Sequence, residues 1–187
     1  MFKNQREEKA IFGREGTANR YRMHQKLVSL GDDFNIENEA GQKVYKVDGK
    51  VLRIRETLVF KDMDGKVLCQ IQERLIAITD TMTIEDGNGK NLATVRKALI
   101  APLVDRFSVK VRNGPDLDVI GNLLDFEYEI KDGRRKVADI SRKWFRITDT
   151  YGVEIAPDQN DVLILAITVA IDMMEYADDK KKPHTTQ

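Results

Sequence analysis

Cysteine, histidine and any surplus of charge are what this chain has least of. Cys69 is the one cysteine, so no intramolecular disulfide can form, and a lone thiol fits a reducing compartment. The two histidines, His24 and His184, stand near opposite ends. A zinc site needs three or four His, Cys or carboxylate ligands, so no metal or cofactor is expected. Lys plus Arg and Asp plus Glu number 31 each. With a formal net charge of zero, no overall field draws the molecule to DNA or RNA, and nucleic acid is not an expected partner. The signatures G-x-S-x-G, G-x-x-x-x-G-K-[ST] and G-x-G-x-x-G are missing, which removes the commonest nucleophile and phosphate-loop arrangements. Also missing is an apolar run of the roughly 20 residues that a helical bilayer span requires. Met1–Arg20 holds no apolar leader core, no glycine follows Met1 for myristoylation, and the C-terminus carries no prenylation box. The expectation is a soluble cytoplasmic protein, not an enzyme, that meets a membrane only at its periphery.

What is present begins with Val162–Ile171, V-L-I-L-A-I-T-V-A-I, in which Thr168 is the only polar residue. A surface helix keeps one wet face, and this segment has none. Asp161 and Asp172 bracket it. It reads as a helix wrapped on all sides by protein, with Asp158 or Asn160 as its cap and Pro157 as the last breaker before it.

The wrapping is legible in a recurring unit: an alternating strand, a turn of Asp or Asn with Gly, and a second strand. Such units start at Phe34, Leu58, Met82, Phe107 and Phe126, and a shorter one starts at Phe145. Their turn glycines are read as Gly41, Gly65, Gly89, Gly114, Gly133 and Gly152. Glycine accepts the positive φ of a tight hairpin, and Asp or Asn bonds its own backbone there. Alternating apolar and polar neighbours bury one face of each strand. Six units imply about twelve strands, and a sheet that wide curls or closes. Closure removes the exposed edges, and the Val162–Ile171 helix plugs the space inside. The predicted fold is therefore mostly β: a closed barrel of about twelve strands around a central hydrophobic C-terminal helix. Residues 1–19 are expected to be a flexible arm, 20–177 one domain, and 178–187 a disordered tail.

The candidate chemistry is thin. Asp62-Met63-Asp64-Gly65 looks like a calcium loop, but the EF-hand puts its glycine at position six rather than four, and Asp-Gly is a strong turn signal. Cys69 shares a strand face with Val67 and Ile71 and reads as a core thiol. The paired carboxylates Glu7/Glu8, Asp32/Asp33 and Asp178/Asp179 fall in turns and tails, not in the dry cleft that acid–base catalysis needs. Basic residues group at Arg20, Arg22 and Lys26, at Arg134 and Arg135, and at Arg142 and Lys143 before Trp144. If they converge, these seven are the contacts for an anion or a lipid headgroup.

The same residues carry a family resemblance. R-Y-R-M-H-Q-K-L-V-S-L-G-D-D-F-N-I (Arg20–Ile36), I-S-R-K-W-F (Ile140–Phe145), D-T-Y-G-V-E-I (Asp149–Ile155) and D-V-L-I-L-A-I-T-V-A-I-D (Asp161–Asp172) resemble, in order and spacing, the LURP-one-related proteins. The resemblance covers about Arg20 to Tyr176. It implies a twelve-stranded barrel around a C-terminal helix, similar to the C-terminal domain of Tubby proteins and to phospholipid scramblases. It implies less about activity. Many members have none assigned, and plant members are linked to defence. Tubby domains bind phosphoinositides through a basic pocket, whose motif does not align here. The first functional expectation is a non-enzymatic binding or scaffold domain that contacts anionic, phosphoinositide-like phospholipid or a protein partner. The alternative is a small-ligand carrier or enzyme with a pocket at the barrel mouth, which needs a cavity beside the helix. Third, by Tubby analogy, comes a transcription-related regulator, which the neutral charge disfavours.

Overall fold

In the computed structural model the described residues are 18–24, 33–52, 55–74, 81–98, 105–122, 125, 127–143 and 150–181. The five units whose turns hold Gly41, Gly65, Gly89, Gly114 and Gly133 each become a hairpin. Twelve strands result among these residues: β1 (Asn19–His24), β2 (Phe34–Asn38), β3 (Lys43–Leu52), β4 (Arg55–Asp62), β5 (Val67–Glu73), β6 (Thr81–Glu85), β7 (Asn91–Lys97), β8 (Asp105–Val111), β9 (Leu117–Asn122), β10 (Glu127–Asp132), β11 (Arg135–Ser141) and β12 (Thr150–Ile155). Every strand is antiparallel to its predecessor, and β12 returns to β1 from Asn19↔Ile155 to His24↔Thr150. The sheet thus closes in simple chain order.

An up-and-down order puts the tight turns at one rim of the barrel. Three of them are built alike. Asn38 Oδ1 accepts from the N–H groups of Ala40 and Gln42, Asp62 Oδ1 from those of Asp64 and Lys66, and Asp86 Oδ1 from those of Asn88 and Lys90, all at 2.9–3.0 Å. Gly41, Gly65 and Gly89 follow with φ of +77°, +85° and +78°, where a Cβ would strain the backbone. Asp62 is therefore engaged in holding a hairpin, and no metal-holding cluster of His, Cys, Asp or Glu occurs among the described residues. Two expected turn glycines differ. In the fourth hairpin Asn113, at φ +59°, takes the left-handed position instead of Gly114. Gly152 is no turn at all: it lies inside β12, paired to Arg22 and Ser141. Asp-Thr-Tyr-Gly reads like a turn locally, but the closing ladder on both sides of β12 overrides that signal.

Alternation sends one apolar row inward from every strand, from Met23 on β1 through Phe60 and Phe107 to Val153 on β12, all at 0% exposure. The single helix of the described residues, α1 (Asp161–Lys181), fills the space they surround. Every residue from Ile164 to Met174 is buried. A Leu or Ile side chain buried this fully stabilises the fold by about 1.5–3 kcal/mol. Asn160 is the cap, its Oδ1 accepting from Leu163 N–H at 3.1 Å, whereas Asp158 sits two residues earlier at φ +66°. Thr168, the polar exception, donates back to the Ile164 carbonyl at 3.1 Å.

Both ends of α1 are fastened to the wall. At the turn rim, Tyr21 Oη and Asn19 Nδ2 donate to Asp161 Oδ2 at 2.6 and 2.7 Å, and Tyr21 begins an aromatic row with Tyr45 and Phe60 at 6.0 and 5.4 Å between successive centroids. An aspartate in the first helical turn also opposes the positive end of the helix dipole. At the far rim, Lys97 Nζ donates to Glu175 Oε1 at 2.8 Å and to Asp178. The helix therefore runs to Lys181, past the point where the sequence suggests a tail. Asp178 is held by an ion pair from β7, and Asp172, which follows the apolar run in the sequence, is itself buried at 8% exposure.

Candidate functional site

A surface site needs charges that are exposed, unspent and close together, and most of the seven expected cations fail one of these conditions. Arg20 and Arg22 point outward from β1 into carboxylates. Arg20 meets Glu39 at 3.3 Å and Glu154 at 3.4 Å, and Arg22 meets Glu37 at 3.3 Å. Lys143 reaches Glu127 at 3.1 Å, and the Arg142 N–H donates to that same carboxylate at 3.2 Å. Arg134 and Arg135 are exposed at the β10–β11 turn, but Arg135 opens β11 while Arg142 and Lys143 follow its other end, about 20 Å of strand away. Lys26 lies outside the described residues, as do Trp144, Phe145 and His184. The six that are described do not form one patch.

On the closing seam the cations serve an acidic row. Glu129, Asp139 and Glu154 are directly opposite one another across β10, β11 and β12, an arrangement of like charges that costs stability unless neutralised. Lys136 contacts Glu129 and Asp139, and Lys131 contacts Glu129 at 2.6 Å. Burial raises the Asp139 carboxyl pKa against the pull of Lys136, and burial likewise raises that of Glu154 against Arg20. In Glu129 the burial is outweighed by Lys131 and Lys136, and its pKa is lowered.

The outer wall of β7 and β8 is different. β8 reads D-R-F-S-V-K-V, followed by Arg112. The strand period of two puts Phe107 and Val109 in the core and Arg106, Ser108, Lys110 and Arg112 outside, all four exposed. Register brings Arg96 of β7 directly opposite Ser108, between Arg106 and Lys110 on the neighbouring strand, with diagonal spacings of about 7–8 Å. Beyond Arg96 the row crosses Thr81 to Arg74, whose N–H donates to the Thr81 carbonyl at 2.9 Å. Among the described residues Arg96 and Arg106 meet no carboxylate at ion-pair distance. Lys110 has one loose partner, Asp116 at 3.9 Å, both more than half exposed. The alternation R-x-S-x-K-x-R was there to be read in the chain; the place of Arg96 depends on register.

The interior offers little chemistry. Cys69 is 1% exposed, and burial pushes its thiol up to about 12, far from the thiolate a nucleophile requires. Burial also raises the hydroxyl pKa values of Tyr128 and Tyr151, each further raised by nearby Asp172. Burial pulls the Lys97 ammonium down, but its bonds to Asp178 and Glu175 outweigh that, and its pKa is raised. No described helix is long and apolar enough to cross a membrane.

A closed antiparallel barrel of twelve strands threaded by one C-terminal helix defines a Tubby-like fold. A solved protein of Arabidopsis thaliana shares it, with a TM-score of 0.65, 18% identity, and coverage of 85% of this chain and 92% of that one. A family model described as LURP-one-related matches residues 19–172, and the chain belongs to that family. A curated relative, the uncharacterized protein YxjI of Bacillus subtilis (strain 168), is 29% identical over 157 residues, which are 84% of this chain and 94% of YxjI.

Proposed function

We propose that this LURP-one-related barrel is a non-enzymatic binding domain that works from its outer surface and meets anionic phospholipid there. The observation that carries the reading is the filled lumen. A carrier of small ligands, or an enzyme with a site in the barrel, needs a lined cavity, and here the space inside the strands is occupied by the buried run from Ile164 to Met174. The one described cation facing that interior, Lys97, is engaged with α1 itself. A row of exposed cations faces outward on β7 and β8, away from the lumen, which favours an anionic surface over a cargo.

Native mass spectrometry of the protein purified from its own host, paired with flotation on anionic vesicles at low salt, tests this reading. The expected result is the bare chain at 21.4 kDa and co-flotation with the vesicles. A small molecule retained in stoichiometric amount would replace the reading with the carrier. Failure to float would remove the lipid, and a co-purifying polypeptide would put a protein in its place.

A further inference from the structure

We propose that the β7–β8 wall is the docking face for an anionic bilayer, and that it holds the bilayer by its field rather than by a pocket fitted to one headgroup. This inference rests on the surface-binding reading above and assigns it a face and a mode.

The argument begins with charge segregation. The molecule has no net charge, yet its cations are used unequally. On the closing seam they are tied into Glu37, Glu127, Glu129, Asp139 and Glu154. On the outer face of β7 and β8 stand Arg96, Arg106, Lys110 and Arg112, with no carboxylate on that face of either strand. Arg74 extends the strip past β6. The acids near it flank it: Asp116 and Asp118 on the β9 side, Glu85 on β6, and Asp86 in the β6–β7 turn, which interacts with Arg112 at the end of the strip. From Arg106 to Arg112 the strip is about 20 Å long.

The shape selects the partner. The strip lies on the convex outside of a closed barrel, so nothing surrounds a single phosphate. A convex strip two strands wide can touch an extended anionic plane along its whole length. Arginine dominates the strip, and its weakly hydrated guanidinium forks suit phosphate. Single-stranded nucleic acid, the other extended polyanion, is bound on aromatic stacking platforms, and the outward positions of β7 and β8 carry no aromatic ring. Contact of this kind is worth about fivefold in affinity per cation near an anionic surface, and it fades as the Debye length shrinks from about 10 Å at 0.1 M salt to about 3 Å at 1 M.

The test is vesicle co-sedimentation of the full chain with phosphatidylcholine vesicles containing phosphatidylglycerol, or containing phosphatidylinositol phosphate at equal total charge. Two double variants of matched charge are compared, Arg96→Gln with Arg106→Gln, and Arg134→Gln with Arg135→Gln. All four positions are exposed, and circular dichroism and melting verify folding. The wall variant is expected to bind about 25-fold more weakly, with the turn variant within threefold of the parent. The parent should bind both anionic vesicles alike and lose both at 1 M salt. Equal losses in the two variants, or an undiminished wall variant, would overturn the face while leaving the surface-binding reading intact. Binding only to phosphatidylinositol phosphate would overturn the mode. A parent that binds neither vesicle would remove the lipid reading and this inference together. If the Gln pair melts early, Arg96→Lys with Arg106→Lys should bind within threefold of the parent, since it keeps the charge. A loss in that folded charge-preserving pair comparable with the Gln pair would also overturn the mode.

Discussion

A single methyl group tests the narrowest point of the wall. A Cβ built on Gly121 would stand within 3.0 Å of the Glu127 carbonyl oxygen and of Tyr128 Cα, both backbone atoms of the neighbouring strand. Neither can move without breaking the β9–β10 ladder. Gly121→Ala should therefore destabilise by about 1–3 kcal/mol, a fall in Tm of roughly 2–4 °C per kcal/mol for a chain of this size; an unchanged melting curve would contradict the close approach. The seam carboxylates give a pH prediction. Asp139 and Glu154 have folded pKa values raised above their ordinary 3.8 and 4.5. In the window from those values up to the folded ones, the folded state binds more protons than the unfolded state, so their contribution to stability falls as pH rises. Asp139→Asn with Glu154→Gln should flatten the decline in Tm on going from pH 4.5 towards neutrality, and an equally steep decline would show that other groups set it. At this scale the sequence informs least. Arg20 and Arg22 read as free cations because Glu154, Glu39 and Glu37 reach them only through strand pairing. Cys69 reads correctly as a core thiol because its strand face alone decides it.

Elements were far more legible, because they rest on local chemistry. The Asx-glycine turns at Asn38, Asp62 and Asp86 repeat at even spacing and each fixes its own hairpin through its own hydrogen bonds. Gly152 misleads for the complementary reason: a turn-like tetrapeptide sits between two partner strands that hold it extended. The end of α1 is missed since Asp178 looks like part of a polar tail until Lys97 reaches it from β7. The helix is also where a single substitution should be most damaging. Ile167 is at 0% exposure, and an unpaired charge there costs several kcal/mol against a total stability of about 5–15 kcal/mol. Ile167→Asp is expected to abolish soluble expression. A soluble variant with the parent's melting temperature would mean that α1 is not the core.

At the scale of the whole molecule, fold and function separate. Closure in chain order follows from hairpins and the need to cover edges, and the solved Arabidopsis thaliana protein shares the fold. The proposed function depends on which outward charges are left over once the pairs are drawn, which is a property of register. The strip at Arg96, Arg106 and Lys110 appears only when β7 is laid against β8. Stability at this scale hinges on the last element. A chain stopped after Asn160 retains all twelve strands but loses the residues that fill them, and should be recovered in the insoluble fraction. A soluble, cooperatively melting product would show that the strands close without their filling.

The helix that completes the core is synthesised after all twelve strands of the wall. The wall leaves the ribosome first, as a series of hairpins with greasy inner faces and nothing to enclose. Local hairpins form early, but burial waits until α1 has been made, so the growing wall exposes apolar surface of the kind that invites aggregation. A chain released before α1 is made would be a wall with nothing to close around.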